Sequence, residues 1–269
     1  MRGKSFEFIL TGLILSLFVI AWFFPALWAI TSSFKAPVEM FSIPPTLIPK
    51  APTLGNYVDI LTVRPFTPFM VNSILVALIT ILITFVVGTP AAYSFARYKF
   101  KGSNTLFFFF LVTRMIPSMS LVIPLYLVMR QFNLSNTIWA LVLAYISFLL
   151  PFIIWMMRGF FLEIPREIEE AALIDGCSPL GAFARMTLPL SAPGLIATMI
   201  FAFIFSWNEF LFALLLAPSP ASKTMPLALA EQVTPWEMVW GRLFAGAVIY
   251  IIPVIIFVVF VQRYLVSAL

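Results

Sequence analysis

The chain has 269 residues, of which 62% are apolar, 16% aromatic and only 10% charged. Soluble domains average about half apolar and about a quarter charged, so with a mean hydropathy of +1.06 too little polar surface exists to cover a water-soluble globule. The absence of histidine excludes Ser–His and Cys–His hydrolases, His-ligated metal centres and histidine proton relays, and the lone Cys177 excludes an intrachain disulfide.

Six apolar stretches, 6–30, 69–96, 106–129, 138–157, 195–216 and 243–261, are each long enough to cross a hydrocarbon core as a helix. They predict an all-α, polytopic membrane protein with six transmembrane helices in a single domain, 1–269. The first stretch follows Arg2 and Lys4 but is too long for a cleaved signal, so it reads as a retained span. Trp22, Trp28, Tyr93, Tyr98, Trp139 and Tyr264 fall near span ends, where aromatic residues gather at membrane interfaces.

The segment 31–68 contains seven prolines, which favour an extended, partly rigid path. A second long loop, 218–241, carries Pro218, Pro220, Pro226 and Pro235 with Trp236 and Trp240. Each reads either as a plain connector or as a docking surface for something outside the membrane. Between spans two and three lies the basic run Arg97-Tyr98-Lys99-Phe100-Lys101. With the N-terminus cytoplasmic, nine of the sixteen Lys and Arg fall in inner segments and six in outer ones, with Arg114 inside a span. The positive-inside bias therefore places both termini in the cytoplasm, and it accounts for the net charge of +5 without nucleic acid.

Polar groups within spans face a cavity or a partner, because hydrocarbon penalises them. Asn72, Arg114, Trp207, Asn208 and Glu209 are the candidates. Trp207, Asn208 and Glu209 together suit a sugar, with an amide and a carboxylate for hydroxyls and an indole for the apolar ring face. The competing reading is a bridge between helices, Glu209 with Arg114 for example. Pro90, Pro117 and Pro124 suggest broken or kinked helices along the path.

The loop 161–189 between spans four and five gathers five of the eleven acidic residues. It parses as two short helices. Pro165 is expected as the first helical residue of one, with Glu167, Glu169 and Glu170 near its positive end and Gly176 as its stop. Ser178 is expected as N-cap of the other, with Pro179 in its first turn and its end before Pro189. Ile168, Ala171, Ala172 and Asp175 share a face whose small centre would let another protein approach closely.

The stretch Glu170-Ala171-Ala172-x3-Gly176, followed after nine residues by Met186-Thr187-Leu188-Pro189, resembles the EAA loop of permease subunits of ATP-binding-cassette importers. Met186 stands where isoleucine is usual. Asn72-Ser73, Met115-Ile116-Pro117, Ile123-Pro124-Leu125-Tyr126, Phe205 to Phe210 and the closing Gln262 to Val266 are similar to the carbohydrate branch, in particular the second maltose permease subunit. Members usually continue into a Gly-rich tail, where this sequence ends at Leu269.

The resemblance implies a multi-pass subunit of a bacterial or archaeal inner membrane. It implies a homologous second permease, two ATPase subunits and an extracytoplasmic sugar-binding protein as partners. Glu170, Ala171, Ala172, Asp175, Gly176, Leu188 and Pro189 would couple the chain to the ATPases. Gly3-Lys4-Ser5 is not a phosphate loop, because the glycine that should open it has no room. The chain is thus expected to hold no catalytic residue, metal or cofactor of its own, ATP and Mg being bound by the ATPase partners. The rival reading is a self-sufficient secondary transporter, which would need an ion-coupling network in the membrane.

Overall fold

The computed structural model describes residues 2–63, 66–233 and 239–266, and these are mostly helical. Pro235 and Trp236, named above, lie outside the described residues, as do Arg64, counted among the outer basic residues, and Pro65, counted among the seven prolines. The main helices are α1 (Arg2–Ser33), α2 (Thr67–Arg97), α3 (Ser103–Thr113), α4 (Ser118–Gln131), α5 (Ile138–Glu163), α6 (Arg166–Ile174), α7 (Pro179–Leu190), α8 (Ala192–Asn208), α9 (Leu211–Leu216), α10 (Met225–Ala230) and α11 (Trp240–Val266). Four of them are long and apolar enough to cross a membrane, and two bent pairs raise the number to as many as six. The chain divides into two compact units, Met1–Thr67 with Leu229–Ile252 and Pro68–Ala228 with Pro253–Leu269.

In the first unit the most apolar part of α1 is not buried at all. A helix that is apolar all round and exposed needs lipid or another chain against it. The proline-rich segment after it is less extended than its composition suggests. Helical turns form at Gly55–Val58 and Asp59–Val63, because Asn56 ties them down: its amide donates to the carbonyls of Ser33 at 2.8 Å and Lys35 at 2.9 Å. Gly241 lies against that amide, and a Cβ there would come within 2.3 Å of Asn56 Oδ1. Next to it Arg242 pairs with Asp59 at 3.3 Å.

The second unit is built on α5. Leu141, Tyr145, Leu149, Ile153, Met157 and Phe161 recur every fourth residue and are all essentially inaccessible, so one stripe of a 3.6-residue helix faces neighbours along its whole length. Within hydrocarbon the apolar effect does not drive helix association; close van der Waals packing does, and small residues permit it. Gly88 of α2 approaches Ile153 so closely that a Cβ would sit 2.9 Å from it, and Gly194 of α8 lies on the Phe160 ring, 2.3 Å from where a Cβ would be. Buried hydroxyls bond within their own helices, as Thr84 does to the Thr80 carbonyl at 2.7 Å and Thr198 to that of Gly194 at 2.7 Å.

The prolines act unequally. The third apolar stretch breaks before Pro117, and α3 and α4 meet at 98°. Helices α2 and α4 run on through Pro90 and Pro124. The fifth apolar stretch breaks at Glu209 and Phe210 into α8 and α9, a break without a proline.

Candidate functional site

The loop after α5 forms the expected helix pair, with two differences. Pro165 is the N-cap of α6 rather than its first residue, leaving Arg166 to open the helix. At the other end Gly176 adopts φ +87°, the left-handed region that glycine enters without steric cost. The Cys177 amide donates to the Ala172 carbonyl at 2.9 Å and the Gly176 amide to that of Leu173 at 3.1 Å, which makes a Schellman ending. Ser178 then caps α7, accepting from the Gly181 amide at 3.1 Å. The second helix does not end before Pro189. It runs to Leu190 through a wider turn at Phe183–Thr187, in which the Leu188 amide reaches the Phe183 carbonyl. Pro189 sits just beyond that turn, where the hydrogen-bond register has already changed and the missing N–H costs little.

One side chain holds this pair to the spans. Glu169 accepts from Tyr93 at 2.9 Å, Arg97 Nε at 2.8 Å and Thr187 at 2.7 Å. Arg97 also forms an ion pair with it at 2.8 Å and donates to the Ile164 carbonyl at 2.9 Å. The carboxylate therefore joins the end of α2, the middle of α6 and the wide turn of α7. Burial pushes the Glu169 carboxyl up, but the bonds from Thr187, Arg97 and Tyr93 and the Arg97 charge outweigh it, leaving it below the ordinary 4.5.

Sequence reasoning did not single out Glu169. It adjoins Glu170 and looks the same in one dimension; only its i, i+3 relation to buried Ala172 marks it as facing inward. By sequence alone Arg97 counts as a topology charge and Tyr93 as an interface aromatic.

The residues expected to couple are divided by this packing. Glu170, Ala171, Asp175, Gly176 and Pro189 are exposed, and Leu188 is half-buried. Ala172 is turned inward at 3% exposure, a correction to the expected docking face, because the Glu169 anchor rotates that side of α6 toward the spans. In its place Leu173, Ile174 and Leu180 stand out, the last two 86% and 78% exposed. Together the exposed residues form a small-centred surface with apolar flanks.

The intramembrane candidates do not converge. Asn72 spends its amide on the carbonyls of Ala221 at 3.1 Å and Lys223 at 3.0 Å, fastening the segment before α10 to α2. The amide thus acts as a tie between elements. Trp207 is fully buried with its ring stacked on Phe203 at 5.5 Å, so it offers no face to a sugar. Glu209 accepts from Tyr145 at 2.9 Å and from the Phe212 and Ala213 amides at 3.0 Å and 3.3 Å. It caps α9 across the break and does not bridge to Arg114. Asn208 is exposed and donates to the Ile204 carbonyl at 2.8 Å. Arg114 sits at the α3–α4 break, donating to the Phe148 carbonyl at 3.0 Å with the Phe152 ring 5.1 Å away. It opens on a cavity of about 260 Å³.

Residues 84–269 match the family described as binding-protein-dependent transport system inner membrane component. The chain is 36% identical over 267 residues to the sulfoquinovosyl glycerol transport system permease protein SmoH of Agrobacterium fabrum, covering 99% of this chain and 92% of that one. It is 40% identical over 247 residues to the trehalose transport system permease protein SugB of Mycobacterium tuberculosis, covering 91% and 89%. It is 35% identical over 272 residues to the trehalose/maltose transport system permease protein MalG of Thermococcus litoralis, covering 100% and 97%. Among solved structures, a chain of a bacterial ABC transporter involved in the import of the acidic polysaccharide alginate superposes with a TM-score of 0.84 at 21% identity, covering 98% of both chains. That likeness is one of fold.

Proposed function

Since the chain belongs to the family of binding-protein-dependent transport system inner membrane components, we propose that it is one permease subunit of an ATP-driven carbohydrate importer. It forms half of a translocation path in a bacterial or archaeal inner membrane and is a single permease domain with six spans, the bent α3–α4 pair counting as one. Both termini and the α6–α7 loop face the cytoplasm. Its partners are a homologous second permease, two ATPase subunits that bind ATP and Mg, and an extracytoplasmic sugar-binding protein. The chain itself performs no catalysis.

The observation that carries this reading is the α6–α7 pair: an exposed surface of Glu170, Ala171, Leu173, Ile174 and Leu180, clamped from beneath by Glu169 to the end of α2. A push on such a surface is transmitted to a span and is not absorbed by the loop. Leu188 and Pro189 contribute at the far end of α7, and Ala172 contributes from beneath. Of the five intramembrane candidates, Arg114 and Asn208 are the exposed ones, and they line the path in this reading. The ion-driven alternative would need a membrane carboxylate free to bind a cation, whereas Glu209 is engaged by Tyr145 and two backbone amides.

Ala171→Trp tests the docking surface, because the side chain is exposed and a larger one can be carried without disturbing the fold. The variant is predicted to reach the membrane normally yet to lose ATPase co-purification and sugar uptake by at least about tenfold, the scale of one blocked interface anchor. Full uptake with a normally assembled complex would refute the coupling role.

A further inference from the structure

Arg114 is a permanently charged group in the middle of an apolar stretch, where such a group is costly unless it is paired. A guanidinium carries five N–H donors and no acceptor. Here the Phe148 carbonyl takes one of them and the Phe152 ring lies beneath the plane. Among the described residues Arg114 has no carboxylate partner, and the carboxylate among the intramembrane candidates, Glu209, is engaged elsewhere.

The cavity on which it opens is walled by Leu149, Phe152, Phe201, Ile204 and Phe205. Phe152 and Phe201 meet edge to face at 6.2 Å, and Phe201 is 55% exposed. At about 260 Å³ the space lies just under the roughly 300–1,000 Å³ common for ligand pockets, room for about one sugar ring. Phenyl faces suit the C–H face of such a ring. The polar lining is more selective, because Arg114 is the one polar side chain in it and can only donate. A neutral sugar would bring hydroxyls that need acceptors as well as donors, and those left unpaired are penalised. A carboxylate or sulfonate only accepts, and its paired oxygens match the planar fork of a guanidinium.

We propose that the cavity beside Arg114 binds the acid group of an anionic sugar, so that the carbohydrate carried by this importer bears a carboxylate or a sulfonate. The inference rests on the importer reading above and narrows its substrate class.

The test uses the assembled complex with its binding protein in proteoliposomes. ATP hydrolysis is measured across matched pairs: glucose and glucuronate, maltose and a glucuronosyl-glucose disaccharide, and glucose and 6-deoxy-6-sulfoglucose. Stimulation by acidic members alone is the predicted result. Stimulation by neutral members to the same extent, or by no acidic member, overturns the proposal and leaves the importer reading standing; a chain that assembles with no ATPase subunit overturns the importer reading itself. With the stimulating acid, R114Q is predicted to raise the half-saturating concentration about tenfold or more, and R114K to recover part of the loss by keeping the charge without the fork. An unchanged half-saturating concentration in R114Q refutes the role of Arg114.

Discussion

Glu169 and Glu170 are adjacent and chemically identical, yet one faces inward to three side chains and the other faces out. Removing the inward one leaves the Arg97 guanidinium, only 6% exposed, without its counter-charge. Breaking a buried pair in this way costs on the order of 3 kcal/mol. Glu169→Ala is thus predicted to lower the thermal midpoint of the solubilised complex by several degrees, and Glu169→Gln by less, since the amide still accepts from Tyr93 or Thr187. A double-mutant cycle with Arg97→Gln should show a coupling of about 1 kcal/mol or more; additive effects would remove the clamp from the account. The pH dependence follows from the sign of the shift. A carboxyl held below 4.5 contributes fully above that pH, and its contribution is lost as pH falls through the lowered value. The clamp should therefore be indifferent to pH between about 5 and 8 and fail only in acid, which a pH series of thermal melts on wild type and Glu169→Gln would show.

At the scale of elements, caps and stops were the most legible features. Ser178 before Pro179 and the Gly176 stop act locally, through a side-chain oxygen and a left-handed backbone, so a few residues suffice to specify them. A Cβ at Gly176 meets nothing within 4 Å, so any penalty there comes from φ. Gly176→Ala should cost about 1 kcal/mol, and a β-branched Gly176→Val more, read as falling complex yield and coupled ATP hydrolysis. Wild-type behaviour of the valine variant would show that the turn is not needed. The wide turn before Pro189 and the break at Glu209 were not legible, because each depends on a partner distant in sequence: Glu169 reaching Thr187 in one case and Tyr145 reaching Glu209 in the other. The inward rotation of Ala172 has the same origin. Close packing of α8 on Phe160 likewise depends on a pairing that periodicity cannot reveal. Gly194→Leu is predicted to abolish assembly, since a side chain must enter space the ring already fills.

For the whole molecule, composition and stretch length pointed to an apolar solvent and to where the long apolar helices form, because hydrocarbon thickness sets the length of a spanning helix. They could not say which polar residues are spent internally. Asn72 ties two elements together, Trp207 packs ring on ring and Glu209 caps a helix, while Arg114 and Asn208 are exposed. A chain so poor in charge keeps Glu170 and Asp175 in the open on a clamped helix pair, which makes sense if the driving force is delivered there from another subunit. The most direct measurement is sugar uptake by the reconstituted complex with ATP and ion gradients varied separately. Uptake is predicted to stop when ATP is withdrawn and to persist when ionophores collapse every gradient. Uptake that continues without ATP and stops with the ionophores would contradict ATP-driven import.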